Sequence, residues 1–210
     1  MNEDSLRKTM VDQQLIARGI HDLGVLKAMR QVPRHLFVPE GQREWAYADG
    51  PLPIGMGQTI SQPFMVAYMT QCLRLKPSDR VLEIGTGCGY QTAVLAQCCS
   101  QVFSLEIRRG LLNSAQKRLT ELGFLNIEFH WANGLDGLPE KAPFDGILIA
   151  AAAQDPPLHL LEQLAEDRVM VCPEGTFHQE LVCYTKKNGS VERETQFPVR
   201  FVPLLGDLPH

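Results

Sequence analysis

At 210 residues, with 44% hydrophobic and 21% charged side chains, the chain suits one α/β domain with an extension and can bury a real core. A formal net charge of -4 with no run of Lys or Arg argues against nucleic acid or anionic membrane as the main partner. No apolar run approaches the roughly 20 residues of a membrane span. The polar start MNEDSLRKTM reads as neither signal peptide nor anchor, so a cytoplasmic protein without a membrane partner is expected.

In chain order, the pattern from Asp4 or Ser5 to Arg18 predicts a helix with Leu6, Met10 and Leu15 on one face and Gly19 as its C-cap. A second helix is expected over 22–31, burying Val25, Leu26 and Met29 and ending before Pro33. Pro33, Pro39, Pro51 and Pro53, with Gly41, Gly50, Gly55 and Gly57, make 33–60 read as a long loop of the kind that serves binding. Ser61 then reads as an N-cap, with Pro63 in the first turn of a helix reaching about Leu73.

From Arg80 the pattern alternates. Strands are predicted at 80–84, 101–105, 126–130, 144–150 and 168–172, and helices at 89–98, 109–122 and 157–165. Asn188-Gly189, between Leu181–Thr185 and Val191–Gln196, signals a hairpin, and a last strand is expected near 199–204. The six cysteines form no C-x-x-C pair and no His stands at zinc spacing from them, so they read as reduced thiols, and no metal is expected.

VLEIGTGCGYQ (81–91) is an apolar strand entering a glycine-rich turn that opens a helix. Such a turn lets backbone approach a ligand and offers free N–H groups, although a tight turn without a ligand has the same pattern. A dinucleotide fingerprint would put glycine at position 90, where Tyr90 stands. The G-x-G-x-G spacing after Glu83 resembles the first motif of Rossmann-like methyltransferases. Glu106, 21 positions beyond Gly85, ends the next predicted strand, where its carboxylate could accept both hydroxyls of a ribose.

GQTISQP (57–63), followed by VLEIGTGCGYQ, APFDGILI (142–149) and VRFVPL (199–204), resembles the protein-L-isoaspartate O-methyltransferase family. MVDQQLIARGI (10–20), VPRHLFVP (32–39) and YADGPLPIG (47–55) extend the resemblance from about Met10 to Leu205. It implies a Rossmann-like, S-adenosylmethionine-dependent methyltransferase fold: a mostly parallel sheet with antiparallel C-terminal strands and an N-terminal helical extension. Residues 1–60 would form the extension and substrate-side loop, packed on a catalytic unit over 61–210. The implied substrates are damaged proteins and peptides containing L-isoaspartate, whose free carboxylate is methylated to start repair. A monomer is favoured.

The resemblance makes Ser61 the active-site serine, with Thr59 and Val202 beside the substrate. Gly85, Thr86, Gly87, Gly89, Glu106, Asn133 and Gly134 would hold the donor. Nothing around Ser61 resembles a hydrolase triad or nucleophile elbow, so it is not read as a covalent nucleophile. Asn133 stands where the family has an aspartate facing the adenine, which implies weaker donor binding. Cys88 and Ala150 replace a common serine and threonine. Methylation of another carboxylate or small molecule, and a weakly active binding relative, remain open on these residues.

Overall fold

The computed structural model describes residues 2–155 and 157–206. Its first helical run changes winding twice, from α1 (Glu3–Thr9) through a π-turn over Met10–Leu15 to a 3-10 turn over Ile16–Arg18. Met10 and Leu15 are both fully buried, and their five-residue spacing suits the wider π winding. Gly19, at φ +92°, ends the run as expected. In α2 (Leu23–Gln31), Asp22 caps the amide of Val25, and Val25, Leu26 and Met29 are buried.

Residues 33–60 are less irregular than expected. They contain 3-10 turns at Arg34–Phe37 and Glu40–Trp45, then a hairpin of β1 (Leu52–Gly55) and β2 (Gln58–Ile60). The hairpin turns at Met56 and Gly57, both at positive φ. Helix α3 (Pro63–Cys72) follows, but its N-cap is Gln62, which makes no side-chain cap bond. The capping role expected of Ser61 is therefore wrong: Pro63 has no N–H to satisfy and presets the first turn.

The alternating half runs β3 (Arg80–Ile84), α4 (Tyr90–Cys98), β4 (Gln101–Glu106), α5 (Arg109–Glu121), β5 (Ile127–Trp131), β6 (Phe144–Ile149) and β7 (Leu164–Glu174). The helix expected over 157–165 is instead a 3-10 turn at Leu158–Gln163, and Leu164 already pairs with Phe144 in the sheet. The longer rise of 3-10 winding brings the chain to its strand sooner than an α-helix would. The predicted hairpin is present as β8 (Gln179–Lys187) and β9 (Ser190–Val199), with Asn188 and Gly189 both at positive φ.

Seven strands form one sheet in the order β5-β4-β3-β6-β7-β8-β9, parallel as far as β7 and antiparallel from there. The chain winds outward from β3 to β5 and resumes on the other side at β6. The switch point lies between β3 and β6, where open α/β sheets bind ligands beyond the strands' carboxyl ends. One apolar cluster joins the sheet to α2, α3, α4 and the first helical run; the other, with Leu82, Phe103, Leu138 and Phe144, includes Leu160 and Leu161 of the 3-10 turn at Leu158–Gln163.

The strand expected near 199–204 is not formed. After β9 the chain leaves the ladder and crosses the tip of β6. There the Ala152 amide donates to Val202 and the Leu204 amide to Ala152, both at 2.8 Å. Pro203 makes only an isolated bridge to Ala152. Among the described residues no helix is long and apolar enough to cross a membrane.

Candidate active site

Beyond β3 the backbone reverses through Gly85, Gly87 and Gly89, at φ +99°, +54° and +88°. Side chains rarely adopt these conformations, and at Gly89 a Cβ would also stand 2.8 Å from Leu119 Cδ1. Gly89 thus serves the packing of α5 against the loop, and its amide donates to the Thr86 carbonyl at 2.8 Å.

Glu106, at the end of β4, is buried and ties the loop to its neighbour. Its Oε2 accepts from the Gly87 amide at 2.8 Å and its Oε1 from the Arg108 amide at 2.9 Å. An ionised carboxylate has about four acceptor positions, so room remains for about two ligand hydroxyls. Gly134 closes the floor, because a Cβ there would lie 2.2 Å from Ile84 Cγ2.

Behind the loop runs a buried polar chain. The Thr86 and Ser104 hydroxyls lie 2.6 Å apart, and Glu83 Oε2 accepts from Ser104 at 2.5 Å and Thr92 at 2.6 Å. Burial, against the pull of those hydroxyls, pushes the Glu83 carboxyl up to about 8. Tyr90 fills the position that a dinucleotide fingerprint leaves to glycine. It is buried edge-on against Phe37, ring centres 5.5 Å apart, with the Arg34 guanidinium 4.8 Å from its own centre.

These elements enclose a pocket lined by Gly85, Thr86, Gly87, Glu106 and Gly134, together with Gln58, Ile60 and Gln91. A second cleft opens between α3 and the segment after β9. The two share Thr59, Ser61, Ala150 and Val202. Eight of the ten predicted site residues therefore line one continuous concavity. The other two, Gly89 and Asn133, do not line it. Asn133 Oδ1 instead caps the following 3-10 turn, accepting from the Leu135 amide at 3.0 Å.

Sequence reasoning missed the outer wall of the cleft. The Arg18 guanidinium lies 3.7 Å over the centre of the Phe64 ring and pairs with Asp49 at 3.2 Å. Asp49 also accepts from Gln62 Nε2 at 2.7 Å. Arg18 lies inside MVDQQLIARGI, but nothing in that segment's helical periodicity marks it as a cleft residue.

The sequence profile described as protein-L-isoaspartate(D-aspartate) O-methyltransferase (PCMT) matches residues 5–208. The chain belongs to this family. A protein-L-isoaspartate O-methyltransferase of Opitutus terrae is 53% identical over 205 residues, covering 97% of this chain and 88% of its own. One from Picosynechococcus sp. is 50% identical over 202 residues, covering 96% and 91%. A solved protein-L-isoaspartate O-methyltransferase superposes with a TM-score of 0.87 at 27% identity, covering 96% of this chain and 67% of its own. A Plasmodium falciparum structure in complex with S-adenosyl-L-homocysteine gives 0.81 at 29% identity, covering 99% and 100%. The methyltransferase thus has the Rossmann-like fold expected, with its antiparallel edge and N-terminal helical extension.

Proposed function

We propose that this methyltransferase transfers a methyl group from S-adenosylmethionine to the free carboxylate of L-isoaspartyl residues in damaged proteins and peptides, the step that starts their repair. The reading rests chiefly on the junction of pocket and cleft at Thr59, Ser61, Ala150 and Val202, within a chain whose relatives carry that activity in their names. The pocket suits the donor: Glu106 retains acceptor positions for ribose hydroxyls, and Gly85, Gly87 and Gly134 keep the walls free of side chains.

The donor supplies a methyl group already activated on a sulfonium. The acceptor, a carboxyl with a reference pKa of about 3.5, is ionised at neutral pH and needs no general base. All four residues at the junction are uncharged, so none of them draws charge from the attacking oxygen. Ser61 and Thr59 hydroxyls make no hydrogen bonds with other described residues, which suits them to holding the carboxylate. Orientation of this kind is worth up to about 7–11 kcal/mol in well-aligned systems.

Val202 supports the substrate main chain from the segment held across β6, and Gly134 lies on the donor side. Asn133 acts at one remove, by shaping the turn that carries Gly134. Residues 1–60 serve as the substrate-side extension and 61–210 as the catalytic unit. The enzyme works in the cytoplasm as a monomer, on polypeptide rather than nucleic acid.

Labelled methyl transfer to an isoaspartyl peptide, to its aspartyl twin and to no peptide tests the proposal. Strict preference for the isoaspartyl form is expected. Equal labelling of both peptides, or none, would refute it.

A further inference from the structure

All six cysteines are free thiols, and two of them meet away from both the pocket and the cleft. Cys72 ends α3, and Cys183 lies in the middle of β8. Far apart in sequence, they line one open groove, together with Tyr68, Arg74, Glu194 and Gln196. Cys72 is partly exposed, whereas Cys183 is buried at 7% exposure.

The two side chains interact directly. The Cys183 S–H directed at the Cys72 sulfur holds the Cys72 thiol below its usual range; burial opposes this, while the Tyr68 hydroxyl and Arg74 reinforce it. The same contact, with burial, raises Cys183. The other four cysteines are all raised by burial, Cys98 and Cys99 to about 12. The thiolate is the reactive form, so the groove pairs an accessible nucleophilic sulfur with a sheltered second thiol.

We propose that Cys72 and Cys183 form a redox-active dithiol that hydroperoxides convert reversibly to a disulfide tying α3 to β8. The Cys72 thiolate attacks one peroxide oxygen and the O–O bond breaks. This leaves Cys72 as a sulfenic acid and releases hydroxide, which takes up a proton. The Cys183 sulfur then attacks the Cys72 sulfur, the S–O bond breaks, and hydroxide leaves with the Cys183 proton as water. Two thiols lose two electrons and two protons, and one hydrogen peroxide becomes two waters. A thiol reductant reverses the change.

Cys72 is suited to the first step by its partial exposure and Cys183 to the second by sharing the same groove wall with it. Because neither sulfur lines the pocket or the cleft, the modification is separable from methyl transfer and does not depend on which acceptor the enzyme uses.

The test is to treat the full-length enzyme with a small excess of hydrogen peroxide, count remaining thiols and map peptides without reduction. Two of the six thiols should disappear, a Cys72–Cys183 linked peptide should form, and dithiothreitol should restore both thiols. Cys72→Ser and Cys183→Ser should each abolish the link. Wild-type peptide mapping decides the matter even if a variant folds poorly. A link between Cys98 and Cys99 in its place, or Cys72 driven to sulfinic acid while Cys183 stays a free thiol, would overturn the proposal.

Discussion

Replacing Glu83 by Gln should remove a pH dependence of stability while leaving the fold in place. Glu83 is fully buried in β3 and accepts from the Ser104 and Thr92 hydroxyls, and burial raises its carboxyl from 4.5 to about 8. In the unfolded chain the same group releases its proton near 4.5. Between those two values the folded state holds a proton that the unfolded state has lost. The native state is therefore most favoured by this group below about 4.5, and that advantage is lost as the pH rises toward about 8. The slope is about 1.4 kcal/mol per pH unit, or roughly 4 kcal/mol between pH 5 and 8. An amide has no proton to release and keeps an oxygen for both hydroxyls. Urea unfolding of wild type and Glu83→Gln across this range isolates the effect, because other carboxylates cancel in the difference. Wild-type stability minus variant stability should fall steadily with pH. A difference that is flat, or that rises with pH, would mean that Glu83 is ionised in the folded protein and that its burial has been misjudged.

Ser61→Ala should lower turnover by up to about a hundredfold through misplacement of the acceptor, with donor affinity unchanged by calorimetry. A loss confined to donor binding would remove Ser61 from the acceptor site. Because Asn133 does not line the pocket and Asn and Asp cap a turn about equally well, Asn133→Asp should leave S-adenosylhomocysteine affinity within about twofold by calorimetry. A marked tightening would mean that residue 133 turns from its cap on Leu135 to meet the ligand. A chain ending at Val199 should keep measurable donor binding but lose methyl transfer to isoaspartyl peptide; retained transfer would show that the segment across β6 is dispensable.

The parallel core was legible because its strands are buried on both faces and read as continuous apolar runs, as in Val81-Leu82 and Ile147-Leu148-Ile149. The glycine loop and Glu106 were legible for a related reason: close backbone approach and a strand-end carboxylate leave fixed spacings. The misses share another cause. Leu158–Gln163 has apolar residues at helical spacing, but the early pairing of Leu164 with Phe144 selects a tighter winding. Residues 199–204 alternate like a strand, yet only Val199 stays in the ladder with β8, while Val202 and Leu204 bond to Ala152 across the tip of β6. Asn133 is spent on a local cap two residues on, a role that its spacing from the glycine loop does not reveal. Arg18 was harder still, because its partners, Asp49 and the Phe64 ring, are set by tertiary packing. Local periodicity carries no trace of such contacts.

The crossing of β6 by Val202 to Leu204 also orders events at the ribosome. The glycine loop and Glu106 emerge while much of the chain is still to be made, but the wall shared by pocket and cleft comes only after β9. A chain made as far as β6 has the glycine loop, Glu106 and Gly134 but still lacks Val202, which both pocket and cleft require. The wall shared by pocket and cleft is therefore completed only after every strand of the sheet has been made.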